Sequence, residues 1–437
     1  MPATKPSKIT LRTYNVGFGD CFLLTFHYAD GNDRHILIDF GSTAAPEHFS
    51  KKRAQTLMLD IAKDVRERCG KTGLMAVVAT HRHRDHISGF ATSKDGKGPG
   101  DIIRALAPKV VIQPWTEDPD APVDALSPVN DPGRAKAFLG SLHAMHHVAG
   151  MVKAASNHSW LSKESRSRLA FLGDDNLKNE SAVKNLMTMS PNPKYVYFQS
   201  KSGLEKLLPG VKVHVLGPPT LKQSDAIRSQ RHKDPDEFWH FHNFWGSQER
   251  AASHETTGQR LFEAKTIPLD DVPVEMRWFR DRVRAIRGEQ LLSIVRELDN
   301  QMNNTSVILL FEAGGKRLLF PGDAQIENWS FALRRLKEQG KSDLLSEVDL
   351  YKVGHHGSLN ATPKSLWKLF AKKGATSKPG RLRSVMSTRS GKHGSKHSGT
   401  EVPREKLVAE LKKESTLVST AEMRVRDGLC HEIEIPL

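Results

Sequence analysis

Four side chains able to hold a divalent cation, His81, His83, Asp85 and His86, fall within six residues, in the run Thr80-His81-Arg82-His83-Arg84-Asp85-His86. Neutral imidazole and carboxylate suit zinc, manganese or iron. Where a strand passes into a loop, this spacing points alternate side chains into one cavity. A second metal needs further ligands, and two other turns offer them: Asp323 in Pro321-Gly322-Asp323, and His355-His356 in Gly354-His355-His356-Gly357-Ser358. A lone histidine at a strand end is usually a satisfied core or surface residue, and a lone Gly-Asp is usually a turn. Each of these turns follows an apolar strand-like run, and the three together point to ligands converging at one edge of an α/β architecture.

The elements that must position these turns follow from periodicity. Leu74 to Ala79 is a short apolar run, the pattern of a buried strand, and leads straight into the histidine run. Ile87-Ser88-Gly89-Phe90 follows it and marks a buried turn rather than a solvated loop. Ile9 to Val16, Cys21 to Tyr28 and His35 to Phe40 predict three strands. Lys51 to Cys69 carries apolar residues at helical spacing and stops at Gly70. Ile102 to Leu106 predicts a short helix and Lys109 to Gln113 a strand. In the last third, Ser306 to Glu312 and Arg317 to Phe320 flank Ala313-Gly314-Gly315-Lys316 as a hairpin. Ile326 to Gln339 and Arg404 to Lys412 predict helices. Val348 to Val353, Ser384 to Ser387, Met423 to Val425 and Cys430 to Ile435 predict strands. Between these thirds lie 116–200 and 224–300, polar and helical apart from the strand Val211 to Leu216 that separates them. They are too long for plain loops and are read as insertions within one domain spanning 1–437.

Composition bounds the class. The chain has 437 residues, 38% hydrophobic and 26% charged, with a net charge of +15. Collagen-like, low-complexity and wholly disordered chains are excluded. The basic surplus favours polyanions, or reflects solubility alone if it is scattered. Cys21, Cys69 and Cys430 are widely separated and form no CxxC pair, which favours a reducing compartment over a disulfide framework. The N-terminal residues show no secretory signal, and no apolar run approaches membrane-spanning length. A cytoplasmic protein, with no membrane partner, is expected.

The run His81-x-His83-x-Asp85-His86 resembles the hallmark motif of the metallo-β-lactamase superfamily. Ile36-Leu37-Ile38-Asp39-Phe40-Gly41 resembles its first motif, Phe320-Pro321-Gly322-Asp323 its bridging aspartate and Val353-Gly354-His355-His356 its last histidine motif. The finer similarity is to the metallo-β-lactamase domain of ComEC-type competence proteins. It rests on Asn15-Val16-Gly17-Phe18-Gly19-Asp20, Asn304-Thr305-Ser306-Val307, His355-His356-Gly357-Ser358 and, more loosely, the segment from Arg389 to His397. The membrane-channel module of those proteins has no counterpart, so DNA uptake does not follow. The resemblance implies an α/β fold, a four-layer αβ/βα sandwich with helical insertions. It implies two divalent metal ions, Zn2+ or Mn2+. His81 and His83 would hold one; Asp85 and His86 would hold the other, joined by His355 or His356; Asp323 would bridge them. Asp39 would orient the histidine loop.

One departure bears on the metal. The superfamily usually carries a further histidine after a strand between these motifs. Here that strand is Val211 to Leu216, followed by Gly217-Pro218-Pro219, and His214 lies within the strand itself. The first metal site is therefore expected to be weak or exchangeable, with manganese active rather than a tightly held zinc pair.

The expected reaction is hydrolysis by a metal-bound hydroxide. Asp85 belongs to the catalytic centre. With His355 as ligand, His356 is the candidate general acid and His397 the reserve. Arg82, Arg84, Ser358 and Lys392 are candidate substrate contacts. Lys378, Arg381, Arg383, Arg389, Lys392 and Lys396 form a basic stretch without an acidic residue, which favours a phosphodiester over a neutral lactam or lactone. The alternative reading is a solvated loop. A nuclease acting on DNA or RNA is the leading expectation. A small-molecule hydrolase of the same superfamily, acting on a cyclic nucleotide, phosphorylated metabolite, thioester or lactone, is the second. A non-catalytic binding module is the third, disfavoured by the complete ligand set. The aromatic run Phe238 to Trp245 suits base stacking or, more commonly, a helix in a core.

Overall fold

The computed structural model describes residues 5–118, 179–220, 223–224, 303–392, 401–424 and 428–437. Two mixed sheets with helices on their faces make an α/β fold. The first sheet has seven strands in the order β13-β1-β2-β3-β4-β5-β6. These are β1 (Pro6–Tyr14), β2 (Cys21–Tyr28), β3 (Arg34–Phe40), β4 (Leu74–Val78), β5 (Val110–Pro114), β6 (Pro193–Val196) and β13 (Cys430–Pro436). From β13 to β3 the neighbours are antiparallel, and from β3 to β6 they are parallel. The second sheet has six strands in the order β12-β11-β10-β9-β8-β7. They are β7 (Val211–Gly217), β8 (Ile308–Ala313), β9 (Lys316–Phe320), β10 (Leu350–Lys352), β11 (Arg383–Met386) and β12 (Thr416–Ser419). Here β7 to β9 run antiparallel and β9 to β12 parallel.

The alternation of apolar residues decides what faces what. One buried cluster joins Leu11, Phe22, Leu24 and Ile38 of the first sheet to Leu309, Phe311, Phe320 and Leu350 of the second. A second cluster packs Leu23, Leu37 and Val77 against α1 (Lys51–Cys69), α3 (Pro99–Ala105) and α4 (Glu180–Thr188). A third packs Leu310, Leu319 and Tyr351 against α5 (Ile326–Glu338), α6 (Asp343–Ser346), α7 (Lys364–Leu369) and α8 (Glu405–Glu414). In α1 the buried Leu57, Ile61, Ala62 and Val65 recur at three- and four-residue spacing, Ser50 caps the first turn, and Gly70 closes the last with φ +51°.

Most expected elements fall within one or two residues of their observed bounds. Three differ. Within 116–200, read as polar and helical, α4 keeps to that reading but β6 does not: the sheet resumes before residue 200. Proline and lysine at the start of β6 masked it as a strand, and it is an edge strand, where proline is tolerated. Met423 is not in a strand; β12, just before it, forms the edge of the second sheet. The aromatic run Phe238 to Trp245, residues 119–178 of the first expected insertion and residues 225–300 of the second lie outside the described residues. Among the described residues no helix is long and apolar enough to cross a membrane.

One buried histidine gives the fold a pH dependence. His35 of β3 is 4% exposed, and its Nδ1 lies 2.9 Å from Thr25 Oγ1. Burial pushes its pKa down to about 4. Between that value and the ordinary imidazole range, the unfolded chain binds a proton that the folded chain refuses, so stability rises with pH there. This contribution is complete above about pH 6.5 and falls away towards pH 4. Urea unfolding at pH 7 and pH 5 is expected to show a loss of about 2 kcal/mol from this residue. The loss should disappear in His35→Gln, whose amide does not titrate. An identical pH slope in wild type and variant would contradict it.

Candidate metal centre

Three loops that leave the ends of β4, β9 and β10 meet between the two sheets. Thr80 and the histidine run leave β4, and Arg84–Ile87 forms a single short turn, α2. Asp323 follows β9, and His355 and His356 follow β10. Thr80 O accepts the Val307 N–H at 2.9 Å, which ties the first sheet's loop to the start of β8. Glycines let the loops close up. A Cβ on Gly41 would sit 2.4 Å from the Asp85 carbonyl carbon, and one on Gly19 would sit 2.6 Å from the Asp85 oxygen. Gly41→Ala must therefore push the Asp85 loop away. A stability loss of about 1–3 kcal/mol in urea unfolding is expected, and unchanged stability would show that the loop has room.

The meeting point is a buried set of acids and imidazoles. Among the described residues, ligand atoms of Asp85, His86, Asp323 and His356 lie within 4.8 Å of one another, all buried. His86 Nε2 is 3.2 Å from Asp323 Oδ2 and 3.8 Å from Asp85 Oδ1. His356 Nε2 is 2.7 Å from Asp85 Oδ2 and 3.6 Å from Asp323 Oδ2. Both imidazoles are oriented from behind. His86 Nδ1 lies 2.8 Å from Asp39 Oδ2, and His356 Nδ1 lies 3.0 Å from the Ser387 carbonyl. Each contact favours a proton on Nδ1 and turns Nε2 to the centre. Asp39 also accepts the Thr80 N–H at 2.7 Å and the Thr80 hydroxyl at 2.8 Å. Asp39, expected to orient the histidine loop, thus contacts both Thr80 and His86.

Asp39, His355 and His356 adopt φ of +54°, +45° and +51°. Left-handed backbone is rarely adopted by side chains other than glycine, and it collects at functional sites. The electrostatics point the same way. Burial favours neutral His86, yet Asp323, Asp85 and Asp39 overcome it and hold its pKa well above the imidazole range. Burial is likewise overcome at His356, raised by Asp323, Asp20 and Asp85. Burial would raise Asp85, but His86 and His356 keep it below the carboxylate range. His81 goes the other way, pushed well down by burial and by the neighbouring His86 and His83.

The donor set fits a divalent cation. Asp85 Oδ1 and His86 Nε2 are buried without a hydrogen-bond partner, side by side in a place with excess negative charge. Carboxylate oxygens and imidazole nitrogens are the ligands zinc and manganese take.

The other sequence-predicted residues fall around this centre. His81 and His83 are buried and adjacent, with His81 Nε2 2.9 Å from His83 Nδ1 and the His81 ring 4.2 Å from that of His86. They stand beside the four-residue group rather than in it. The sequence left open which of His355 and His356 would be the ligand. His356 Nε2 joins the group, and its ring is wholly buried against Phe18. The His355 side chain keeps 17% of its exposure, with Nε2 4.0 Å from Asp323 Oδ2. The left-handed turn at both residues is what sends the second ring inward. Arg82, expected as a substrate contact, has its guanidinium on the Glu117 carboxylate, with Nε 2.7 and 2.8 Å from the two oxygens. Arg84 and Lys392 are exposed, and Ser358 is half-buried just after His356. His397 lies outside the described residues, as does Lys396. His214 stays on the β7 face, 3.8 Å from Glu312, away from the centre.

The basic stretch is largely spent on the fold. Lys378 donates to the carbonyls of Ala371 and Lys373, Arg381 to those of Gly374, Lys412 and Lys413, Arg383 to that of Glu434 and Arg389 to that of Ala45. Two residues of the centre were missing from the candidate site. Asp20 pairs with Lys352, and both are fully buried beside Asp323. A lysine inside the apolar run Val348 to Val353 was the available signal. No family model matches the chain, and no curated protein matches it in sequence.

Proposed function

We propose that the chain is a divalent-metal-dependent hydrolase of phosphodiesters, a nuclease of DNA or RNA, built on a four-layer αβ/βα frame of the metallo-β-lactamase kind. The observation that carries the metal centre is the convergence of Asp85, His86, Asp323 and His356 from three distant loops into one buried group. Two sheets sharing an apolar core, each with a further apolar cluster against its own helices, support the layered frame.

In this reading Asp85, His86, Asp323 and His356 hold the cation, with His81 and His83 available to a second one. When bound, divalent ions supply Lewis acidity and a nucleophile at neutral pH. The protein's own contribution is positional. Asp39 and the Ser387 carbonyl lock the two imidazoles, and the buried loops exclude bulk water from the carboxylates. His356 is enclosed and committed on both nitrogens. His355, partly exposed beside Asp323, is therefore the better-placed proton donor to a leaving group.

The phosphodiester assignment rests on the net charge of +15 and on exposed Arg84 within the histidine loop. The use of Arg82 by Glu117 and of the C-terminal basic residues by backbone carbonyls favours a second reading, a hydrolase of a small phosphorylated or carbonyl substrate. One assay separates them. The chain is incubated with Mn2+, Mg2+ or Zn2+ and single- or double-stranded DNA, RNA or cyclic dinucleotides, with Asp323→Ala as the blank. Cleavage of a polynucleotide that weakens steeply with salt supports the nuclease. Turnover of cyclic dinucleotides alone supports the second reading, and no metal-dependent hydrolysis of any of them contradicts the phosphodiesterase assignment.

A further inference from the structure

Lys352 ends β10, a strand whose other residues, Leu350 and Tyr351, are fully buried, and it is itself 1% exposed. Burying an ammonium costs several kcal/mol unless it is closely paired, and an apolar side chain fills such a position at lower cost. Packing therefore gives no reason for a lysine here. Its contacts do. The ammonium pairs with Asp20, donates to the Gly322 carbonyl at 3.1 Å, and lies 3.4 Å from Asp323 Oδ1. The same Oδ1 accepts the His355 N–H at 3.0 Å. Two donors thus occupy one oxygen of Asp323. The other, Oδ2, faces His86 Nε2 at 3.2 Å and His356 Nε2 at 3.6 Å.

We propose that Lys352, held by Asp20, is a positioning residue: it engages Asp323 Oδ1 and so presents Oδ2 alone to the cation of the metal centre. The inference rests on the metal-centre reading and adds to it a residue that never touches the ion. Asp20 keeps the ammonium in place, and its backbone N–H donates to Asp85 O at 3.0 Å, so the same turn sets both carboxylates.

The test uses the full chain and the double variant Asp20→Asn, Lys352→Met, which removes the ammonium and its counter-charge together and leaves the net charge of the site unchanged. Mn2+ is titrated calorimetrically into metal-free wild type and variant, and the metal-free melting temperature of each is measured. The expected result is a fall in Mn2+ affinity of about 10–100-fold, the usual effect of losing an outer partner of a ligand. The metal-free melting temperature should be unchanged or higher. If the double variant does not fold, Lys352→Gln is measured in the same way, with a smaller fall expected in the same direction. Wild-type affinity in a folded variant overturns the inference and leaves the metal centre standing. So does a loss of affinity matched by a lower metal-free melting temperature, which would mark a merely structural role. A wild-type chain that binds no Mn2+ overturns both.

Discussion

Asp323→Ala is expected to remove metal-dependent hydrolysis, lowering turnover by at least about 10³-fold. The residue stands where the loops meet: its Oδ2 faces both inward imidazoles and its Oδ1 takes two donors from β10 and the turn after it. Asp20 also lies near both imidazoles, but on their Nδ1 side, at 3.7 and 3.6 Å. Removing it takes away one of the four proposed ligands and leaves the raised proton affinity of His86 without its largest supporter. Cleavage assays with added Mn2+ across polynucleotides and cyclic dinucleotides read the effect. Activity within about tenfold of wild type would show that Asp323 is not part of the reacting centre.

The second large effect is expected at Asp39. One carboxylate accepts the Thr80 N–H, the Thr80 hydroxyl and the His86 Nδ1–H. Asp39→Asn keeps a side chain that tolerates the left-handed backbone at this position. It nevertheless replaces one acceptor oxygen by an NH2 group, which must face a donor whichever way the amide turns. Either the Thr80 N–H or the His86 and Thr80 donors lose their partner. Metal affinity should fall by about 10–100-fold, and stability by about 1–3 kcal/mol. Metal titration and urea unfolding of the variant check the two parts separately. If affinity is preserved while stability falls, Asp39 supports the loop without orienting His86.

How much of this was legible in the sequence depended on whether the signal was local. The strands and α1 were readable because alternation and helical spacing are properties of neighbouring residues. The histidine run and Asp323 announced themselves by residue type in turns after apolar strands. The split between His355 and His356 was not readable: two identical side chains differ only through a left-handed turn, which residue type does not specify. The fate of Arg82 depended on Glu117, far along the chain and in the expected insertion, and proximity of that kind leaves no periodic trace. The basic stretch from Lys378 suggested a polyanion surface because net charge is visible in sequence, whereas backbone carbonyls that accept those charges are visible only in the fold. Lys352 left a trace, a lysine in an apolar run, but its use did not show. A charge within a strand is normally read as a solvent-facing position, and only the buried Asp20 and Asp323 around it reveal its use.

The proposed metal centre needs Asp85, His86, Asp323 and His356 to act together as cation ligands. Equilibrium dialysis of the metal-free chain against Mn2+ or Zn2+, followed by elemental analysis, tests that directly. Saturable binding by the wild-type chain is predicted, lost in Asp323→Ala while its circular dichroism spectrum stays that of wild type. A wild-type chain that retains neither ion, or a variant that retains as much as wild type, would contradict the metal centre.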